Sequence, residues 1–336
     1  MPTDDTKEGA LSRKRYLAAL LWGGFGGAAV VALPYAAAIL IKLFMGISVF
    51  SGHLLEPQLG ISLLLILPFI QGAIAGLIAG NLPNPLKTCG GLGALMLLLD
   101  YLLAMLFLGE GVICLIMAFP LYGGIMGVGL ATGRAFAISR NQRTFRAVLI
   151  PLAVLAVVID TEASPPSYSN AISDAVTINA PPDRVWRYIV SYPDNTNPPD
   201  YWLWRIGLPM PVQSTASAAA IGAERQCRFT NGIAFDEQIT EIVPNKVMTF
   251  KVTAQPNHPE IIGHFSLDKG QLYLEENPDG TTTVIATSWY RIFVRPAPYF
   301  DWWAEDIVRN IHFRVLNHMK ELAEADNRSQ AAMLED

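Results

Sequence analysis

The sequence predicts a two-part molecule: an N-terminal all-α transmembrane bundle of about five helices, then a C-terminal α+β domain. Three observations predict it. From Tyr16 to Leu130 the only charged residues are Lys42, Glu56, Lys87, Asp100 and Glu110, whereas beyond Asp160 charges are frequent. Residues 161–170, TEASPPSYSN, are small, polar and Pro-rich, the composition of a hydrated tether. Downstream of it the pattern changes to short alternating strands closed by one long amphipathic stretch. The overall hydrophobic content of 51% conceals this division, because ordinary globular chains already run at about 45 to 50% apolar.

A hydrocarbon core of about 30 Å takes roughly 20 apolar residues as helix. Stretches of that kind occupy residues 17–41, 61–80, 92–108 and 112–131. A fifth, 147–159, is shorter, and Arg146 and Asp160 at its ends suit snorkelling to the two interfaces. Basic residues alternate between the connections: Arg13, Lys14 and Arg15 precede the first stretch, Lys87 follows the second, and Arg134, Arg140, Arg143 and Arg146 follow the fourth. Cytoplasmic loops are enriched in such residues. The pattern predicts a multi-pass inner-membrane protein with a cytoplasmic N-terminus and, with five crossings, an extracytoplasmic C-terminal domain. With four crossings that domain is cytoplasmic. The first apolar run is too long for a signal-peptide core and is expected to remain as an anchor.

Gly72, Gly76 and Gly80 recur at four-residue spacing, as do Gly23 with Gly27 and Gly123 with Gly127. Such faces let a second helix backbone approach closely, either within the bundle or from a second copy of the chain. Asp100 falls inside the third apolar stretch, where an ionisable group is costly and suggests function by default. Two readings stay open: a coupling site, or a hydrogen-bonded aspartate locking helices together through neighbours such as Tyr101 or Tyr122.

The domains expected are 1–160 for the membrane part, 161–173 for the linker, 174–326 for the soluble domain and 327–336 for a flexible tail. Strand-like runs lie at 175–178, 224–229, 233–242, 247–254, 263–275 and 281–293. The turn pairs Asn231-Gly232 and Pro244-Asn245, with Pro278-Asp279-Gly280, punctuate them. A helix starts at Pro182 and Asp183. The last helix, 299–325, carries Ile307, Ile311, Val315, Met319 and Leu322 as an apolar stripe.

The opening VTINAPPDRVWRYIV (176–190), the run NGIAFDEQITEIVPNKVMTFKV (231–252), the PDGTTTV hairpin and the closing helix carry a resemblance. From residue 174 to residue 325 the chain resembles the START-like, or SRPBCC, superfamily, which groups polyketide cyclase/dehydrase-like and lipid-transfer domains. Its most specific piece is AP-x-x-x-VW at residues 180–186. The resemblance implies a helix-grip fold: a curved antiparallel sheet around the C-terminal helix, enclosing an apolar cavity for a lipid or another hydrophobic molecule. Strand parity turns Val284, Ala286, Ser288, Tyr290 and Ile292 inward, and sets Met248, Phe250 and Val252 on one face. With Trp204, Ile311 and Val315, these inward residues make the expected ligand-binding set: Trp204, Met248, Phe250, Val284, Ala286, Ser288, Tyr290, Ile311 and Val315.

Tyr201, Trp202 and Trp204 lie in a Pro-rich loop, and Tyr299, Phe300, Trp302 and Trp303 open the last helix. Tyr and Trp favour membrane interfaces, so these residues either dock a pocket mouth on the bilayer or pack the rim of the domain. No metal is expected: His312 and His318 miss the i, i+4 spacing of helical zinc motifs. Cys89, Cys114 and Cys227 build no disulfide framework, and no cofactor fingerprint is present. The net charge of -5 speaks against nucleic acid as a partner. A binding module is favoured because no reactive constellation emerges. The alternatives are a cyclase or dehydratase using Glu237, His264, Arg228 or Tyr290 as acid-base groups, and a membrane bundle with Asp100 as coupling site and the soluble domain as sensor.

Overall fold

A computed structural model describes residues 13–26, 62–80, 85–108, 110–139, 151, 167–261 and 264–335. The chain divides into two compact units, Met1–Pro166 with Val294–Pro296, and Ser167–Phe293 with Ala297–Asp336.

The first unit contains α1 (Leu67–Ala79), α2 (Pro85–Leu103) and α3 (Val112–Ile138) among its described elements. Among the described residues two helices, rather than about five, are long and apolar enough to cross a membrane: Cys89–Leu106 and Val112–Ile138. The second predicted stretch forms the shorter apolar helix Leu64–Ala79. It stops there because Gly80 turns the chain at φ 25, leaving a helix that rises only about 24 Å at 1.5 Å per residue. The first stretch is described only to Gly26, and 147–159 lies outside the described residues apart from residue 151.

Glycines set the α1–α3 contact. A Cβ on Gly72 or Gly76 would overlap the backbone carbonyls of Met126 and Leu130, and one on Gly129 or Gly133 would overlap those of Phe69 and Ala73. The close approach predicted for Gly72 and Gly76 is thus made with α3 inside the chain. Its partners on α3 are Gly129 and Gly133, which share the four-residue spacing; Gly127 meets nothing within 4 Å.

The second unit is a seven-stranded antiparallel sheet in the order β1-β7-β6-β5-β4-β3-β2. Its strands are β1 (Tyr168–Ile178), β2 (Pro211–Ala216), β3 (Glu224–Phe229), β4 (Ala234–Val243), β5 (Val247–Ala254), β6 (Phe265–Glu276) and β7 (Thr282–Ile292). Between β1 and β2 lie α4 (Pro182–Ile189) and the single turn α5 (Trp202–Arg205), and α6 (Ala297–Glu335) closes the chain. Register shifts in β4 and β6, at Asp236/Glu237, Ile239/Glu241 and Leu267/Lys269, mark bulges, which bend the strands that carry them. The resulting curled sheet holds α6 and α4 on one face, a helix-grip arrangement of the kind the START-like resemblance implies.

Local chemistry explains the punctuation. Pro181 caps α4 with Pro182 in its first turn, where a missing N–H costs nothing. Asn231 and Asn245 take left-handed backbone at φ 64 and 62, a conformation Asn tolerates better than most residues. Two boundaries differ from expectation. β1 begins at Tyr168, within the predicted linker, and α6 continues to Glu335 through the residues assigned to a tail. The early part of β1 reads as linker because its sheet-inward positions include Asn170 and Asp174, which break the apolar alternation. β2 opens on Pro211 and carries Gln213, Ser214 and Thr215, so it reads as loop.

Candidate functional site

Helix α6 presents a sheet-facing stripe whose character changes along its length. The buried positions run Asp301, Val308, His312, Leu316, Met319 and Ala323, with Glu305 partly buried among them. This stripe is turned by one residue from the predicted one: Ile307, Ile311, Val315 and Leu322 flank it, half-buried. One residue is about 100° of helix rotation. The apolar count pointed to the flank because the true centre line is polar in its first half.

Opposite that polar half stand Asn170 and Asp174 of β1 and Ser288 and Tyr290 of β7, with Asn170 paired across to Tyr290 and Asp174 to Ala286. Two hydrogen-bonded groups result. In the first, the Tyr290 hydroxyl donates to Asp301 Oδ1 at 2.8 Å, and Asn170 Nδ2 donates to Asp301 Oδ2 at 2.8 Å and to Glu305 Oε1 at 3.1 Å. Burial, with the hydrogen bond to Asp301, pushes the Tyr290 phenol far above its ordinary range. It remains a donor.

The second group is a serine–histidine–aspartate chain. His312 Nε2 lies 2.8 Å from Ser288 Oγ, and its Nδ1 lies 2.9 Å from Asp174 Oδ2. Arg309 Nε approaches the other Asp174 oxygen at 3.3 Å. Burial lowers the His312 imidazole pKa, more strongly than Asp174 raises it, so the neutral ring is favoured. A neutral ring has one consistent arrangement here: Nδ1–H donates to Asp174, leaving the Nε2 lone pair to accept the Ser288 hydroxyl proton. That is the tautomer a general base requires, with the carboxylate orienting it.

The other half of the grip is apolar. Leu316, Met319 and Ala323 are fully buried against Ile178, Val284 and Met248, and α4 adds Val185 and Ile189. The expected ligand-binding residues divide between the two halves. Met248, Val284 and Ala286 belong to the apolar core, while Ser288 and Tyr290 belong to the polar groups. Phe250 lies under the Arg225 guanidinium at 4.8 Å, with its ring over Gly270. Ile311 and Val315 lie beside the α6 stripe. Trp204 is buried at the rim, its ring 5.3 Å from the Arg314 guanidinium.

The predicted catalytic candidates do not meet. Glu237 is buried in an ion pair with its cross-strand neighbour Arg225, which also donates to the Val190 carbonyl at 3.1 Å. Burial pushes the neighbouring Cys227 thiol up to about 12, leaving it a poor nucleophile. Arg228 projects from the outer face of β3 to Gln226 and Gln213. His264 sits in the turn before β6, where its backbone N–H donates to the Ile261 carbonyl. A cleft of about 340 Å³ lies elsewhere, between the 195–200 loop and the C-terminal half of α6, lined by polar groups including Asn195, Asn197, Arg314 and Glu321.

In the first unit, Asp100 accepts from Gln71 Nε2 at 3.0 Å and from the Tyr122 hydroxyl at 2.9 Å. Three helices, α1, α2 and α3, are joined at this point. Tyr122 is one of the partners the sequence offers; Gln71, fully buried, carries no sequence signal of this role.

The chain matches no protein-family model. No curated protein matches it. Solved structures do. A protein from Nitrosospira multiformis is similar at 17% identity and a TM-score of 0.33, over 47% of this chain and 99% of its own. Another, from Mesorhizobium loti, is similar at 14% identity and a TM-score of 0.32, over 46% of this chain and 98% of its own. Norcoclaurine synthase of Thalictrum flavum, a point mutant with a transition-state analogue, is similar at 8% identity and a TM-score of 0.34, over 49% of this chain and 99% of its own.

Proposed function

We propose that the protein is a membrane-anchored binding protein whose helix-grip domain holds a hydrophobic small molecule or lipid between sheet and α6. The ligand's polar end meets the Asn170–Tyr290–Asp301–Glu305 group. The observation that supports this most is the change of character along the α6 stripe. Buried polar groups are costly unless hydrogen-bonded, and two such groups gathered at one end form a convergent polar surface beside an apolar one. The anchor is the N-terminal unit, with a cytoplasmic N-terminus, about five crossings of the inner membrane and the helix-grip domain on the outer side. Native mass spectrometry with lipid analysis of the full-length protein tests the binding. A stoichiometric hydrophobic passenger supports it, and an empty protein contradicts it.

The Ser288–His312–Asp174 chain favours a second reading, acid-base chemistry on the bound molecule with His312 as the base. It displaces Glu237 from that role, since the Arg225 ion pair occupies the Glu237 carboxylate. Under this reading Ser288→Ala and His312→Gln abolish turnover while the passenger is still held. The hydrogen bonds made by Asp100 favour a helix lock over a coupling site, so Asp100→Asn is expected to leave ligand-dependent behaviour unaltered.

A further inference from the structure

The two aromatic clusters of the sequence come together at one corner of the helix-grip unit. Trp202 of α5 meets Trp303 of α6 with ring centroids 6.5 Å apart, Trp302 lies 5.1 Å from Trp303, and Tyr201 packs edge-on to Trp204 at 5.3 Å. Behind this stack the rim is buried, yet Trp302 is 63% exposed, Trp202 46% and Ile206 47%. Large apolar side chains exposed side by side call for a covering surface.

Two features say what covers them. The first is position along the chain. The unit begins at β1, and Asn170, two residues after its first, donates to Asp301, the residue before Trp302. The tether therefore enters the domain at the corner that bears the exposed tryptophans. That tether is short, reaching at most about 3.3 Å per residue, and it follows the apolar stretches of the first half. The second feature is charge. The carboxylates of this part of α6 are directed away from the exposed rings: Asp301 to Tyr290 and Asn170, Glu305 to Asn170, and Asp306 to the Tyr201 hydroxyl. A first turn of α6 whose acids are bound inward, and whose outward group is an indole ring, suits the headgroup layer, where Trp places an apolar body and a polar N–H; Asp200 of the adjoining loop stays exposed and reaches toward Arg314.

We infer that Trp202 and Trp302 insert into the interface of a lipid bilayer and hold the domain against the membrane that anchors it. This rests on the anchoring proposed above, not on the ligand. The test uses the full-length protein in phosphatidylcholine nanodiscs, with and without bromine at a shallow acyl position, in wild type, Trp202→Phe/Trp302→Phe and Trp22→Phe. The emission that distinguishes wild type from the double variant reports the two exposed rings. The emission lost in Trp22→Phe reports the anchor. The expected result is that brominated lipid quenches about half or more of both components. If the Trp22 component is quenched and the Trp202/Trp302 component is not, docking is overturned and anchoring stands. If neither is quenched, both are overturned. A Trp202/Trp302 component that ignores bromine but shifts to shorter wavelength only in discs holding two copies assigns the patch to a second chain, which also overturns lipid docking.

Discussion

The two ends of the grip interior obey different rules. Near Leu316, Met319 and Ala323 the buried contacts between helix and sheet are apolar, and stability there is a matter of filled volume. Near Asp301, Glu305 and His312 the same helix and the same strands meet through hydrogen bonds in which a donor on one element matches an acceptor on another. A fold needs only the first kind of contact. Polar groups bring a smaller net gain and a larger cost when a partner is lost. Along the α6 stripe, their concentration at one end is what distinguishes a site from a core.

Four substitutions break or sharpen this contrast, each read by urea unfolding of the detergent-solubilised protein. Arg225→Ala is expected to be the most damaging, at about 3 to 5 kcal/mol, because it leaves the Glu237 carboxylate buried and unpaired; Glu237→Leu combined with Arg225→Met should recover most of that. Leu316→Ala, which opens a cavity in the apolar end, should cost about 2 to 5 kcal/mol and show no pH dependence of its own. His312→Gln belongs to the polar end and should cost less, about 1 to 3 kcal/mol, with a pH signature. The folded-state pKa of His312 lies below its ordinary 6.5, so the unfolded chain binds the proton more tightly and this contribution is present above pH 6.5 and lost as pH falls through the folded value. Wild type should therefore weaken on acidification over that window, and the variant should lose that component. Ser288→Ala, which leaves the Nε2 lone pair of His312 without its partner, should cost the least, about 1 kcal/mol; a cost as large as that of Leu316→Ala would make Ser288 a packing residue.

The fold was largely legible because its signals are local. The turn residues Asn231, Asn245 and Gly280, the Pro182 helix start and the parity of β7 each depend on a few neighbouring positions, and each appears where the spacing puts it. The polar site was not legible as a unit. Asn170 and Asp174 looked like linker and domain edge because small polar residues at inward positions imitate a loop, and that same choice hid the first half of β1. In the sequence His312 pairs by spacing only with His318, and that spacing misses a helical metal motif. Its partners Asp174 and Ser288 are distant in sequence, and only the register of β1 on β7 beneath α6 brings them together. One sequence signal does point there: the α6 stripe 301, 305, 308, 312, 316, 319, 323 keeps helical spacing if its polar members are counted with its apolar ones. Likewise Gly129 and Gly133 repeat the spacing of Gly72 and Gly76, and pairing the two sets identifies the α1–α3 contact.

The most direct test of a polar end that grips a ligand compares native mass spectra of the full-length protein as wild type, Asp301→Asn/Tyr290→Phe and Leu316→Ala. The expected result is a stoichiometric hydrophobic passenger on wild type, its loss from the Asp301→Asn/Tyr290→Phe variant although that protein stays folded, and its retention on the less stable Leu316→Ala variant. An empty wild-type protein, or a passenger indifferent to Asp301 and Tyr290, would contradict the account and leave the polar groups as fixtures of the fold.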